Sequence, residues 1–308
     1  MDYFSNHPLY KKHNIDSAMS SLWNFYKQKF LPLFLISFVM SLILQYLSTL
    51  INLAEFQTIT DPNEMLAKIK DYILPMLIIA IVSLFFTTIL HYYVIYNPLD
   101  KENNIFRCIL KSLRYFIPYL IIMVLLAFVG SFALFLGLLI LIIGIFFSVL
   151  YIMTLYLFIL PTMMVEGPNI ANTIGRTITL AHRKFWTNIG WTAVFVLILL
   201  VVTIILSGII LLPFTGNFMK AFMNPEEAAS LINITINPFY IILSALISAL
   251  TFPLLPIFAC ILYFNGKARE EQPVITGLVT NNDNGRVKVE DLYAKPYSDD
   301  HPEKPENN

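Results

Sequence analysis

Long apolar runs alternate with short polar segments along most of the chain. The runs fall at roughly Phe30–Leu50, Tyr72–Ile95, Phe116–Gly137, Leu138–Leu160, Ile189–Leu212 and Phe239–Tyr263. A helix needs about 20 apolar residues to cross the hydrocarbon layer, so each run predicts one transmembrane helix. The runs are continuously apolar, whereas the strands of a membrane β-barrel would alternate. No charged residue stands between Arg114 and Glu166. One helix of that length would far exceed the bilayer, so two spans joined by a tight turn between Gly130 and Gly137 are predicted. The expected fold class is all-α, a polytopic transmembrane bundle of six spans with juxtamembrane amphipathic helices.

Three polar-to-apolar transitions are alike in kind. Ile15–Phe34 (IDSAMSSLWNFYKQKFLPLF), Ile105–Leu120 (IFRCILKSLRYFIPYL) and Ile170–Trp191 (IANTIGRTITLAHRKFWTNIGW) each begin with apolar residues at helical spacing. Each then passes through a basic and aromatic cluster into a span. The shared faces are Ile15, Met19, Leu22 and Tyr26; Ile105, Ile109, Leu113 and Phe116; and Ile170, Ile174, Ile178 and Ala181. Such helices lie in the headgroup plane, with Lys or Arg reaching phosphates and aromatics at the interface. Three units of interfacial helix plus hairpin follow, as an ancestral repeat or by convergence. The expected divisions are an N-terminal segment with an interfacial helix (1–29), a six-helix transmembrane domain (30–265) and a flexible polar tail (266–308). The first run begins only near Phe30 and reads as a retained membrane helix rather than a signal peptide.

Composition agrees: 57% of the residues are hydrophobic and only 13% are charged, a balance suited to a lipid-facing surface. The net charge is zero, so no attraction to nucleic acid is implied, and the expected partners are membrane lipids or another membrane protein. Local charge sets a direction. Lys11, Lys12, Lys27 and Lys29 precede the first span; Lys101, Arg107, Lys111 and Arg114 follow the second; Arg176, Arg183 and Lys184 follow the fourth. The alternate connections are acidic, with Glu55, Asp61, Glu64 and Asp71 in one and Glu226 and Glu227 in the other. The positive-inside rule then places both termini in the cytoplasm. Cys108 and Cys260 fit no metal or disulfide spacing and are expected to be free thiols.

The spans carry no formal charge, which argues against a proton pump built on an intramembrane carboxylate. Their neutral polar residues include Gln45, Thr87, Tyr151 and Ser248, for which bonding back to the helix or to a neighbour is the plain reading. Gln45 is expected to face protein or water. Gly130, Gly137 and Gly144 recur every seven residues, to pack one helix face or merely to flank the turn. Pro253 and Pro256 should distort the sixth span. Pro161 is read as ending the fourth span, after which Glu166 is expected to pair with Arg176. Together with His182, Arg183, Lys184 and Trp186, these two form the candidate surface for a lipid headgroup or partner. His182 could exchange protons but has no nearby Asp or Cys in sequence, and His91 reads as an interface or packing residue. HExxH helices, GxSxG elbows and phosphate-binding glycine loops are absent. No cofactor is implied. Asn233-Ile234-Thr235 matches a glycosylation acceptor.

The order of Pro161, then MMVEG, then TIGRTITLAHRKFW leading into a span resembles the membrane domain attached to some bacterial glycerophosphoryl diester phosphodiesterases. It also resembles related multi-pass bacterial membrane proteins. Pro161, Glu166, Gly167, Arg176 and Trp186 are the matching positions. In that family the enzymatic activity belongs to a separate soluble domain, for which these 308 residues leave no segment, so it is not carried over. The resemblance implies a six-helix module of a bacterial inner membrane. The leading expectation is a non-enzymatic module binding lipid or a partner protein, with a transporter or permease subunit for a small or amphipathic solute as the alternative. A cavity at the membrane midplane lined by Gln45 and the Ser and Thr groups would favour transport.

Overall fold

The computed structural model describes residues 3–51, 59, 61–100, 105–216 and 237–285, with the backbone alone at 141–142 and 272–285. Among these the regular structure is entirely helical. A 3-10 turn (Tyr3–Asn6) precedes α1 (Ile15–Gln28), α2 (Phe30–Ser48), α3 (Pro62–Tyr96), α4 (Ile105–Leu139) and α5 (Leu141–Glu166). Then come α6 (Ile170–Arg183), α7 (Phe185–Leu211), α8 (Pro238–Thr251) and α9 (Leu254–Gly285). Six helical segments are long and apolar enough to cross a membrane, the sixth composed of α8 and the start of α9. The chain is an all-α, multi-pass membrane bundle. Met1–Gly266 forms one compact unit and Lys267–Asn308 a second, whose described part is helical to Gly285. The glycosylation acceptor at Asn233, the charges Lys101, Glu55, Glu226 and Glu227, and the tail beyond Gly285 lie outside the described residues.

Capping explains several boundaries. Asn14 caps α1 by accepting from the Ser17 N–H (2.8 Å), while the Ser17 hydroxyl accepts from the Asn14 N–H (3.0 Å). Asn169 caps α6 by the one-way bond alone, accepting from the Asn172 N–H at 2.9 Å. Asp61 and Asn237 cap α3 and α8, each followed by a proline that loses no helical bond there. α1 and α6 are both 14 residues long, and both end at a lysine that leaves the helical region. Lys29 has φ −111° and ψ 19°, Lys184 has φ −132° and ψ 59°, and a phenylalanine opens the next helix in each case. At the second of these corners, buried Asn188 donates to the Leu180 and Ala181 carbonyls at 3.1 and 2.9 Å. Unmet, such carbonyls would cost about 1–3 kcal/mol.

Three expectations are corrected. The turn between the third and fourth spans lies at Ile140, beyond the 130–137 window, because an all-apolar stretch carries no boundary signal. The middle unit of the repeat has no corner: α4 runs for 35 residues, about 52 Å, with Pro118 inside it, and carries Arg107, Lys111 and Arg114 in its first turns. Pro161 sits inside α5, which continues to Glu166; one backbone bond is lost, but the proline φ suits a helix. The apolar stripe of the first transition segment lies on its buried face, with Leu22 and Tyr26 buried, whereas the other two stripes are turned partly outward. α6 buries Thr173, Thr177, Leu180 and Ala181 while Ile178 is exposed, and the start of α4 buries Cys108, Ser112 and Tyr115 while Leu113 is exposed. In lipid, apolar side chains gain little by turning inward, so small and hydrogen-bonding residues take the bundle side.

Packing is uneven along the bundle. At the end bearing Lys29, Arg114 and Arg183, here the basic end, Leu157, Phe158, Met163, Tyr263 and Phe264 are completely buried. Phe195 stacks on Phe258 at 4.1 Å between ring centres, and the Tyr96 hydroxyl donates to the Met164 carbonyl at 2.6 Å. The first residues of the chain seal this end. Phe4 packs on Tyr96, buried His7 donates from Nε2 to the Val94 carbonyl (3.1 Å), and the His13 N–H donates to Asn265 Oδ1 (2.9 Å). Toward the other end α2 and α8 pack closely, and each carries small buried residues four apart, Ser37 and Ser41 facing inward on one, Ala245 and Ala249 on the other.

Candidate functional site

Beyond the packed layer the helices part around a cavity of about 460 Å³. Its polar lining comes in stripes at four-residue spacing, which places each stripe on one helix face. α3 supplies Ser83, Thr87 and His91; α7 supplies Thr203 and Ser207; α8 supplies Tyr240, Ser244 and Ser248. Tyr156 of α5 and Thr251 complete the polar set, while Met40, Leu44, Phe86 and Leu199 are among the apolar walls. The Thr87 hydroxyl donates to the Ser83 carbonyl at 2.9 Å, and Thr251 to that of Ile247 at 3.2 Å. Gln45 lies beside the cavity and donates to the Ser244 hydroxyl at 2.9 Å. Its amide therefore faces protein, as its cost in lipid requires.

The sixth span is broken at this cavity. α8 ends at Thr251 and α9 begins at Leu254, with Pro253 between them and Phe252, Leu255 and Pro256 on the cavity wall. A proline has no N–H, and a two-residue turn at Phe252 and Pro253 interrupts the helix, so carbonyls of the preceding turn lose their helical partners. One of them, that of Leu250, is met by the Tyr26 hydroxyl of α1 at 2.9 Å. Burial raises the Tyr26 phenol above its ordinary value, which keeps it a donor.

The expected headgroup set divides into two groups. Arg176 Nε donates to Glu166 Oε2 at 2.8 Å and its second nitrogen to Oε1 at 3.1 Å, a two-pronged pair that the Tyr263 hydroxyl joins at 3.1 Å. The carboxylate beside it raises the Arg176 pKa above its ordinary value. Gly167, at φ +107°, turns the chain so that α6 returns along α5; a side chain there would meet no atom, so only the backbone angle demands glycine. His182, Arg183, Lys184 and Trp186 form the second group at the exposed α6–α7 corner, with Trp186 74% exposed. His182 stacks on Phe185 at 5.5 Å, and its Nε2 lies 3.3 Å from the Tyr151 hydroxyl. Tyr151 thus belongs to this corner and stands apart from the cavity, whereas Thr87 and Ser248 line it. No family profile matches the chain, and no curated protein or solved structure proves similar to it.

His91, Tyr156, Thr203, Ser207 and Tyr240 are the polar cavity residues that the chain pattern did not single out as a site. His91 is 2% exposed and donates from Nδ1 to the Thr87 carbonyl at 2.9 Å, so its packing role and its place on the cavity wall coincide. Among the described residues no three His, Cys, Asp or Glu side chains gather as a metal-binding group, and both cysteines are buried free thiols.

The Glu166 clamp has a measurable share in stability. Glu166→Ala should lower stability by about 2 kcal/mol, because it strands both the partly exposed Arg176 and the Tyr263 hydroxyl. Thermal unfolding in detergent reads this, and an unchanged midpoint would show the clamp to be energetically idle.

Proposed function

We propose that this is a non-enzymatic protein of a bacterial inner membrane, serving as a transporter or permease subunit that holds a small amphipathic solute in the cavity. The supporting observation is the cavity itself, where hydroxyl-bearing stripes of three spans converge beside a proline-broken helix. A pocket of about 460 Å³ with convergent polar groups has the size and lining that small-molecule sites use. Discontinuous helices at such places expose backbone polar groups to solutes. The basic end is assigned to the cytoplasm by the positive-inside rule, which puts both chain termini there. The resemblance of the Pro161–Trp191 stretch to the phosphodiesterase membrane domains supports the same placement. A second reading rests on the exposed Arg183, Lys184 and Trp186 corner: a module docking anionic lipid headgroups or a partner protein.

The test is thiol accessibility in sealed vesicles. Ser248→Cys, with Cys108 and Cys260 replaced by alanine, should react with a small maleimide, while Leu157→Cys in the packed layer should not. Failure of Ser248→Cys to react even in detergent-solubilised protein would remove the solute-holding reading and favour the docking module.

A further inference from the structure

Given that solute-holding reading, the hydrogen-bonding inventory of the cavity narrows the class of molecule. The described lining contains no Asp, Glu, Lys or Arg. A charged solute would lose its hydration there without a counter-charge, so the site favours an uncharged one. Part of the lining also spends its own hydrogens. Thr87 and Thr251 donate to carbonyls of their own helices, which leaves their oxygen lone pairs as what they offer the cavity.

His91 is the sharpest case. Its Nδ1–H is committed to the Thr87 carbonyl at 2.9 Å, and a carbonyl can only accept. The neutral ring therefore carries its remaining lone pair on Nε2, toward which no donor among the described residues is directed. Helix-bonded serines and threonines are common packing devices, and they alone would say nothing about a ligand. An imidazole acceptor on the wall of a cavity is different, because a hydrogen carried by a bound molecule can reach it there.

We propose that the cavity takes an uncharged amphiphile bearing hydroxyl or amide hydrogens, which donates to His91 Nε2 while Met40, Leu44, Phe86 and Leu199 hold its apolar part. A neutral glyceride with free hydroxyls represents the class.

Diethyl pyrocarbonate tests this on the full chain in proteoliposomes, since it acylates accessible unprotonated imidazole and mass spectrometry reads each histidine separately. His91 should be modified, and 1-octanoylglycerol at about four times its dissociation constant should slow that modification about fivefold. Methyl octanoate, which has no donor, and octyltrimethylammonium, which is charged, should not protect; exposed His182 serves as the internal reference. Equal protection by methyl octanoate, or none by the glyceride, overturns the donor-selective site while leaving an accessible cavity standing. A His91 that stays unmodified while His182 reacts overturns both this proposal and the solute-holding reading. In native mass spectrometry His91→Gln, which keeps an acceptor oxygen, should retain 1-octanoylglycerol, and His91→Leu should lose about tenfold in affinity. Equal affinity in the two variants also overturns the role of His91.

Discussion

Gly144→Leu is expected to leave almost no folded protein, whereas Gly130→Ala is expected to be nearly silent. A Cβ at position 144 would stand 2.7 Å from Ile140 Cβ and 3.1 Å from the Gly137 carbonyl carbon, and closer still to the Gly137 carbonyl oxygen. A Cβ at Gly137 would meet the Gly144 carbonyl oxygen at 2.8 Å and the Ser148 hydroxyl at 2.6 Å. Most of these neighbours are backbone atoms, which cannot rotate aside, so α4 and α5 would have to separate at their turn. That would also break the bond from the Ser148 hydroxyl to the Ala133 carbonyl (3.1 Å) in the most extensively packed helix pair of the bundle. The cost should exceed about 3 kcal/mol, at or beyond the upper range for overpacking. At Gly130 the nearest atom is the flexible end of Ile152 at 3.4 Å, so Ala should change stability by less than about 1 kcal/mol. Size-exclusion profiles and thermal midpoints of the purified variants check both. A Gly144→Leu protein with the wild-type midpoint would mean that the two backbones do not meet as described.

Acidification is expected to loosen the first residues of the chain. His7 is buried between Phe25 and Phe264; its Nδ1 accepts from the Leu9 N–H at 3.2 Å and its Nε2–H donates to the Val94 carbonyl. Burial is the main reason that its pKa is lowered to about 4, against which the Val94 bond works only in part. An undocked histidine titrates near 6.5, so between about pH 6.5 and 4 the undocked segment binds the extra proton. Docking is therefore at full strength above about pH 6.5 and weakens as pH falls through that window. The loss amounts to about 2 kcal/mol at pH 5 and about 3 kcal/mol below pH 4. Hydrogen exchange of residues 3–13, corrected for its intrinsic pH dependence, should show protection falling between pH 7 and 4.5. Constant protection would refute the docked neutral imidazole.

The six spans were legible because lipid imposes a length and a polarity that no other context demands. The Glu166–Arg176 pair was legible for a related reason: a lone carboxylate at the end of 51 uncharged residues has few places to go. The turn at Ile140 was not, since its neighbours are apolar on every side and only the close approach of Gly137 and Gly144 marks it. The stripes Ser83–Thr87–His91 and Tyr240–Ser244–Ser248 are visible as four-residue spacings in the chain. Their convergence on one cavity depends on how each helix is rotated about its axis, which periodicity inside an all-apolar span does not report. The N-terminal seal was missed altogether. Phe4, His7, Leu9 and His13 are buried through a 3-10 turn and irregular chain, which has neither the helical nor the strand period.

The bond between Tyr26 and the Leu250 carbonyl joins residues 224 positions apart, and that between His13 and Asn265 joins residues 252 apart. A ribosome makes the first partner of each bond long before the second, and domains made early generally fold as they emerge. Phe4 and His7 can meet Tyr96 and Val94 once the second span is made, but the bonds to Asn265 and the Leu250 carbonyl must wait for the sixth. Sealing of the basic end, and repair of the carbonyl exposed at the Pro253 break, are thus completed only when the sixth span is in place.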